Sequence, residues 1–405
     1  MKENKSKKIS FGTKLFYGFL CLIVSIVIKL VLGFKLREDE QVRSWRKSKQ
    51  SYVILSAHPS EADAAVLLAA LFPRYARFVV GAQQLYKEGI FGWLLRTMHV
   101  IPKRQFTNDV PAIKEMIQTV RDGYVLAMMP EGRVSMDGTE NPIDPSTVKL
   151  LKKLKVPVAI LIPEGTFFIR PSYHWNAIKL GKINGEIRCL FTAEDLENMS
   201  AEEMEDRINK EFRYNAFEQV KGSGNTYGSK KKPAMEHVSN LFYRCPECSS
   251  MYTVGEDGDV ISCSSCGFTV NVSRELFFES PSGESIPENA AVWNKAQIEF
   301  EKEFWKADDA ALEFTVEKQM LKLRVDQDFR TVCSGTLVLD KTGMRYTDEQ
   351  EEIEVPLAVL PGVSADYMNG RITYYQGDDI RRFQMEDVHY PARFINSLMV
   401  LKGFH

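Results

Sequence analysis

The chain has 405 residues, 44% hydrophobic and 26% charged, a globular composition that excludes wholesale disorder and fills about two to four domains at roughly 100–200 residues each. Its formal net charge of -2 excludes a general nucleic-acid binder, which is strongly basic. That near-balance hides a division: residues 1–50 hold twelve Lys/Arg against four Asp/Glu, a surplus of +8, and residues 51–405 carry -10. A basic, apolar N-terminus on an acidic body points to an anionic membrane surface.

Residues 15–34 form an apolar run bracketed by Lys14 and Lys35, about the 20 residues a helix needs to cross a bilayer. Lys29 interrupts it close enough to one end to snorkel. No small-residue cleavage site follows Phe34, so the run reads as a retained anchor rather than a signal peptide. Both flanks are basic, and the choice between a spanning and an in-plane helix stays open.

Buried strands are predicted over residues 51–57, 77–80, 99–102, 125–129 and 156–162, from short apolar, β-branched runs. Helices are predicted after Glu61 and over 112–122 and 146–155. This alternation implies an α/β layer fold, whose sites gather in the loops beyond the strand ends. At the first such end stand His58 and Asp63. A neutral imidazole takes a proton from a hydroxyl, and a carboxylate on its other nitrogen fixes the tautomer and stabilises the imidazolium. No Ser or Cys nucleophile is needed if the substrate supplies the hydroxyl. The third strand delivers Lys103 and Arg104 to its end, and the fourth is stopped by Pro130-Glu131-Gly132-Arg133. Gly132 lets the backbone turn, and Lys103, Arg104, Arg133 and the Gly132 N–H are candidates to hold a phosphate.

His58-Pro-Ser-Glu-Ala-Asp63 resembles the H-x4-D motif of the glycerolipid acyltransferases that include lysophosphatidic acid acyltransferase. Residues 89–104 are similar to that family's second block, with Arg104 in the place of its closing arginine. Residues 130–135 are similar to the third block, P-E-G-T-R-S, and residues 156–160 to the fourth. The blocks come in family order over roughly residues 40–220. Ala57 stands where Asn is common, and the third-block arginine comes one position early, at Arg133, with Val134 in its usual place. The resemblance implies transfer of a fatty acyl group from a thioester, of coenzyme A or acyl carrier protein, to the hydroxyl of a lysophospholipid such as 1-acylglycerol-3-phosphate. His58 is then the general base, Asp63 its orienting group, and Glu131 a positioner of acceptor hydroxyls. Phe91, Trp93, Leu94 and Leu95 are expected to face acyl chains, the bilayer or the core, and no cofactor takes part in the chemistry.

Residues 221–235 are rich in Gly, Ser and Lys and read as a flexible linker. Cys245, Cys248, Cys263 and Cys266 then form two C-x2-C pairs around a hairpin with an acidic tip, resembling a zinc ribbon with one structural Zn²⁺. Scattered Cys21, Cys189 and Cys333 fit a reducing compartment better than a disulfide scaffold. A helix within 286–308, alternating segments at 321–325, 336–339, 353–357 and 370–375, and a closing helix at 392–401 look like a pleckstrin-homology-type β domain.

The expected organisation is thus a membrane-anchoring helix (1–36), an α/β acyltransferase domain (37–220), the linker, a ribbon (236–275) and a β-rich domain (276–405). The catalytic domain is expected on the cytoplasmic side, with membrane lipid, an acyl thioester and a lysophospholipid as partners and no nucleic acid. Two other readings remain open: an inactive membrane adaptor, and a hydrolase or transferase for another hydroxyl acceptor.

Overall fold

A computed structural model describes residues 10–86, 89–104, 109–228, 232–283, 285–322, 329–360, 362–376 and 379–404. Internal packing divides the chain into two compact units. The first lies within residues 1–135, 140–168 and 180–219, and the second within 136–139, 169–179 and 220–405.

The first unit opens with helix α1, Phe11–Leu32, whose N-cap Ser10 Oγ accepts from the Thr13 N–H and which Gly33 ends in the left-handed conformation. The helix starts four residues before the apolar run, because the Ser10 cap starts it. One stripe, Tyr17, Cys21, Ser25 and Ile28, is buried, and the helix packs against α3, Asp63–Leu71. The Tyr17 hydroxyl also accepts from the Ala76 N–H at 3.3 Å. Leu15, Phe19, Leu22, Ile23, Ile26, Val27, Leu30 and Val31 remain exposed.

Among the described residues, seven strands form the sheet of this unit: β1 Lys35–Glu38, β2 Val53–Ser56, β3 Ala76–Gly81, β4 Ile101–Lys103, β5 Val125–Met128, β6 Val158–Glu164 and β7 Asn184–Phe191. Their order is β1-β7-β6-β2-β5-β3-β4. From β6 to β4 all neighbours are parallel, so five carboxyl ends share one edge of the sheet; β7 runs antiparallel to β6, and β1 runs parallel to β7. β2 is buried throughout, as befits a parallel strand covered on both faces. Helices α2 Glu40–Ser48, α4 Gly89–Thr97, α5 Val110–Arg121, α6 Ser146–Leu154, α7 Thr166–Ile169, α8 Ala193–Asn198, α9 Ala201–Glu211 and α10 Ala216–Val220 fill the connections. The five anticipated strands are present with ends shifted by one or two residues. β1 and β7 were not anticipated: β1 is the charged tetrapeptide Lys-Leu-Arg-Glu at the sheet edge, with no apolar run to announce it.

In the second unit, β8 Val254–Asp257, β9 Val260–Cys263, β10 Thr269–Val272 and β11 Phe278–Glu279 form an antiparallel sheet that contains the expected hairpin. Helix α11, Ala290–Phe304, sets Trp293 against Phe242, Phe268 and Phe278, so the ribbon region and the helix share one core. A larger antiparallel sheet follows: β12 Ala311–Lys322, β13 Arg330–Thr331, β14 Gly335–Asp340, β15 Gly343–Asp348, β16 Glu352–Pro356, β17 Val363–Asp366, β18 Arg371–Gln376 and β19 Asp379–Met385. Its path is β16-β15-β14-β12-β19-β18-β17, with β13 on β12. Helix α12, Tyr390–Leu401, closes the chain and packs on α11. Residues 323–325 of one anticipated strand lie outside the described residues, as do 229–231 of the linker. Within the rest of that stretch, Tyr227 is buried and donates its N–H to the Arg274 carbonyl at 3.2 Å, and Lys221 meets Glu288 at 2.7 Å.

Candidate active site

His58 follows the end of β2, and Glu131 follows the end of β5. Leu55 pairs with Met128 in the parallel register, so three residues further on His58 and Glu131 stand abreast beyond the same sheet edge. The loop from His58 curls back as α3 begins, with Asp63 as its first residue, where a carboxylate also complements the helix dipole.

His58 Nδ1 lies 3.1 Å from Asp63 Oδ2. The imidazole is 20% exposed and the carboxylate fully buried. The Ser60 N–H donates to the same Oδ2 at 2.7 Å, and the Ala62 N–H donates to Ser60 Oγ at 3.0 Å. The six-residue loop is thus closed by its own acid. Asp63 Oδ1 and Thr166 Oγ1 have no hydrogen-bond partner among the described residues, although the Thr166 hydroxyl is near enough to favour the ionised acid. No described residue bonds His58 Nε2, which leaves that nitrogen as the basic one.

Burial opposes a charge on His58, but the Asp63 hydrogen bond, with the charges of Asp63, Glu61 and Glu131, outweighs it and raises the imidazole above its ordinary value. Burial likewise raises Asp63, against the pull of His58 and the Ser60 N–H. The arrangement that accounts for the raised imidazole is a carboxylate facing a protonated Nδ1.

Glu131 is buried and fully engaged. Oε1 accepts the His58 N–H at 2.8 Å; Oε2 accepts the Asn141 N–H at 2.8 Å, the Asn141 side-chain amide at 3.1 Å and the Tyr214 hydroxyl at 3.4 Å. Burial pushes this carboxyl up to about 7, against those hydrogen bonds. The Ser135 N–H donates to the His58 carbonyl at 2.9 Å. Both backbone groups of His58 are therefore held by the 130–135 loop. In this arrangement Glu131 spends its oxygens on protein donors and fixes the histidine, where sequence reasoning had it facing acceptor hydroxyls. Asn141, Tyr214 and Thr166 escaped that reasoning, because they lie outside the blocks and no spacing links them to His58.

Gly132 has a φ of 68°, the turn conformation expected of it, but its N–H donates to the Met129 carbonyl at 3.2 Å, closing the turn rather than presenting a donor to an anion. Arg133 is half-buried on the same loop. Lys103 ends β4 and Arg104 follows it, three strand spacings from β2, roughly 14 Å along the shared edge. The Arg104 N–H donates to Asp109 Oδ2 at 2.8 Å, and its guanidinium Nε lies 3.5 Å from the same oxygen. Burial lowers Lys103, with Asp109 and Asp144 opposing. The structure thus joins His58, Asp63 and Glu131 directly and sets the cations farther along the edge. Trp93 is exposed and meets Phe16 of α1 edge-on at 5.7 Å, while Leu94 and Leu95 are half-buried. The Phe91 side chain lies outside the described residues.

In the second unit the ligand atoms of Cys245, Cys248, Cys263 and Cys266 all lie within 4.8 Å of one another. Cys245 and Cys266 are 3.8 Å apart between sulfurs, as are Cys248 and Cys263. Four thiolates at about 2.3 Å from a tetrahedral zinc stand about 3.8 Å apart, so the cluster has the dimensions to hold one.

Residues 33–162 match the family model described as Acyltransferase. No curated protein matches the chain. Among solved structures, the 1-acyl-sn-glycerophosphate (LPA) acyltransferase PlsC from Thermotoga maritima is similar with a TM-score of 0.38 and 18% identity, over 50% of this chain and 86% of that one. The residues matched by the family model hold His58, Asp63, Lys103, Arg104 and Glu131, and this part of the chain is an acyltransferase domain.

Proposed function

We propose that the protein is a membrane-associated O-acyltransferase that moves a fatty acyl group from an acyl thioester, of coenzyme A or acyl carrier protein, to the hydroxyl of a lysophospholipid, 1-acylglycerol-3-phosphate first among them. The observation that carries this reading is the His58–Asp63 pair at 3.1 Å, with the acid buried and the imidazole 20% exposed. Nε2 takes the proton as the acceptor hydroxyl attacks the thioester carbonyl. Asp63 holds the ring and offsets the charge it gains. The tetrahedral intermediate collapses, the carbon–sulfur bond breaks, and the imidazolium returns the proton to the thiolate. An ester and a free thiol result, with no acyl-enzyme. Lys103 and Arg104, and Arg133 on the neighbouring loop, are the cations offered to the acceptor phosphate.

The outward face of α1 supports membrane attachment. Each Leu, Ile or Phe moved from water to lipid is worth about 1.5–3 kcal/mol. Several of them outweigh Lys29, which costs about 2.5–3.5 kcal/mol at a bilayer centre and less near a helix end. Because Tyr17, Cys21, Ser25 and Ile28 are buried where the helix packs on α3, the helix is read as lying in one leaflet. None of the seven cysteines is paired in a disulfide, which suits a cytoplasmic face. Residues 245–266 are read as a ribbon holding one structural zinc, which takes no part in the chemistry.

The test is thiol release by the full chain in detergent, supplied with acyl-CoA and a panel of lysophospholipids and other alcohols. Release that requires both acceptor and His58 supports the proposal. No release with any acceptor leaves the inactive adaptor as the reading, and release by water alone makes the protein a hydrolase.

A further inference from the structure

We infer that His174, Glu236 and His237 form a second metal site, independent of the four thiolates and suited to a zinc-class divalent ion. The three residues come from two separated segments of the second unit. His174 closes the short 3-10 turn Ser172–His174, and Glu236-His237 leads into the turn Val238–Leu241; the two turns pack together. One ligand atom from each of the three residues falls within 4.8 Å of the others. Zinc with nitrogen and oxygen ligands at about 2.1 Å needs them about 3.4 Å apart, so side-chain shifts of roughly an ångström close the site.

One observation points to a ligand, and two more describe how the site is preset. His174 is only 5% exposed, and its Nδ1 is buried without a hydrogen-bond partner. The nearest acid oxygen, Glu236 Oε2, stands 3.5 Å away, an ion-pair distance at the outer limit for hydrogen bonding. A buried ring nitrogen left unsatisfied is costly, and a coordinated ion satisfies it. Second, the two imidazoles stack at 5.6 Å between centroids with 23° between planes. Third, His237 has a φ of 68°, uncommon for a residue with a side chain. Its N–H and the Ser239 N–H both donate to the Glu256 carboxylate, which fixes that conformation. The backbone is thus set beforehand and the imidazole carried on it.

Two imidazoles and one carboxylate favour zinc, cobalt or nickel over magnesium or calcium, which prefer all-oxygen shells. Glu236 and His237 are half-exposed, so water has access to a fourth position. An ion here pins the segment bearing His174 to the chain around residue 237. The competing reading is that Lys179 already supplies the positive charge: its ammonium donates to the Ala234 carbonyl at 2.8 Å and feels the charge of Glu236.

The experiment counts zinc on the full chain in detergent, stripped with a chelator and returned to zinc chloride, by native mass spectrometry and elemental analysis. His237→Asn, with a residue that tolerates positive φ, and His174→Gln are each expected to bind one equivalent less than wild type, whatever the thiolates hold. Cys245→Ser is expected to leave that difference intact. With cobalt(II), the thiolate charge-transfer band should survive in His237→Asn and fall in Cys245→Ser. Zinc K-edge absorption of the wild-type chain, which needs no variant to fold, should show nitrogen or oxygen scatterers. Equal zinc in wild type and both histidine variants, or a sulfur-only shell at the edge, overturns the inference.

Discussion

In the proposed reaction the histidine needs one nitrogen without a partner and the other held; Asp63 holds His58 Nδ1, and no described residue bonds Nε2. His58→Ala should abolish thiol release while leaving the circular dichroism unchanged. Asp63→Asn should cut turnover by about 10²–10⁴-fold by releasing the tautomer. The pH dependence follows from the sign of the shift. His58 is raised above its usual 6.5, and only the neutral ring is a base. The acid limb of kcat/KM should therefore have its midpoint above 6.5, with activity growing as pH rises through it. Asp63→Asn removes the hydrogen bond and charge that raise the ring and leaves burial, so the midpoint should drop. A limb that stays put would show that another group controls it. Glu131→Gln sets an amide against the N–H donors of Asn141; about 1–3 kcal/mol of stability should be lost, with a lower melting temperature.

At the scale of elements, α1 divides its labour between two faces. Tyr17, Cys21, Ser25 and Ile28 face the protein at a spacing of four, four and three, while Leu22, Ile26 and Leu30 are exposed. Replacing those last three by Ser should weaken flotation with anionic vesicles and leave the melting temperature nearly unchanged. Tyr17→Ala should do the opposite, costing about 3–5 kcal/mol for a lost buried ring. Vesicle binding unaffected by the triple variant would mean another surface holds the lipid. The apolar run was plain in the sequence, but its two faces were not, since nearly every position in it is apolar. The parallel strands were legible because burial on both faces makes them continuous apolar runs, as in the stretch from Val53. β1 was illegible because an edge strand needs backbone partners more than an apolar side-chain pattern, and its partner β7 lies almost 150 residues away.

On the scale of the molecule, two units fold around separate cores, and the segment 169–179 counts with the second although its sequence neighbours belong to the first. In the second, Cys245 and Cys263 are buried beside a small sheet. Structural zinc contributes on the order of 10–16 kcal/mol in zinc-finger peptides. Chelation should therefore strip hydrogen-exchange protection from residues 245–272 while β2, β5 and β6 keep theirs. Protection that survives complete removal of metal would mean that Trp293 and its aromatic neighbours suffice to hold this region.

His58, Asp63 and the four cysteines could be named as candidates from order and spacing, because each grouping rests on short local geometry: a six-residue loop from His58 to Asp63, and two C-x2-C turns for the cysteines. What came only with the tertiary structure joins distant segments. Glu131 reaches the backbone of His58 across two strands in register, Tyr214 closes on Glu131 from far along the chain, and His174 meets His237 across more than sixty residues. Such contacts follow from which strands pair and which turns pack, and no local pattern of residue types encodes that.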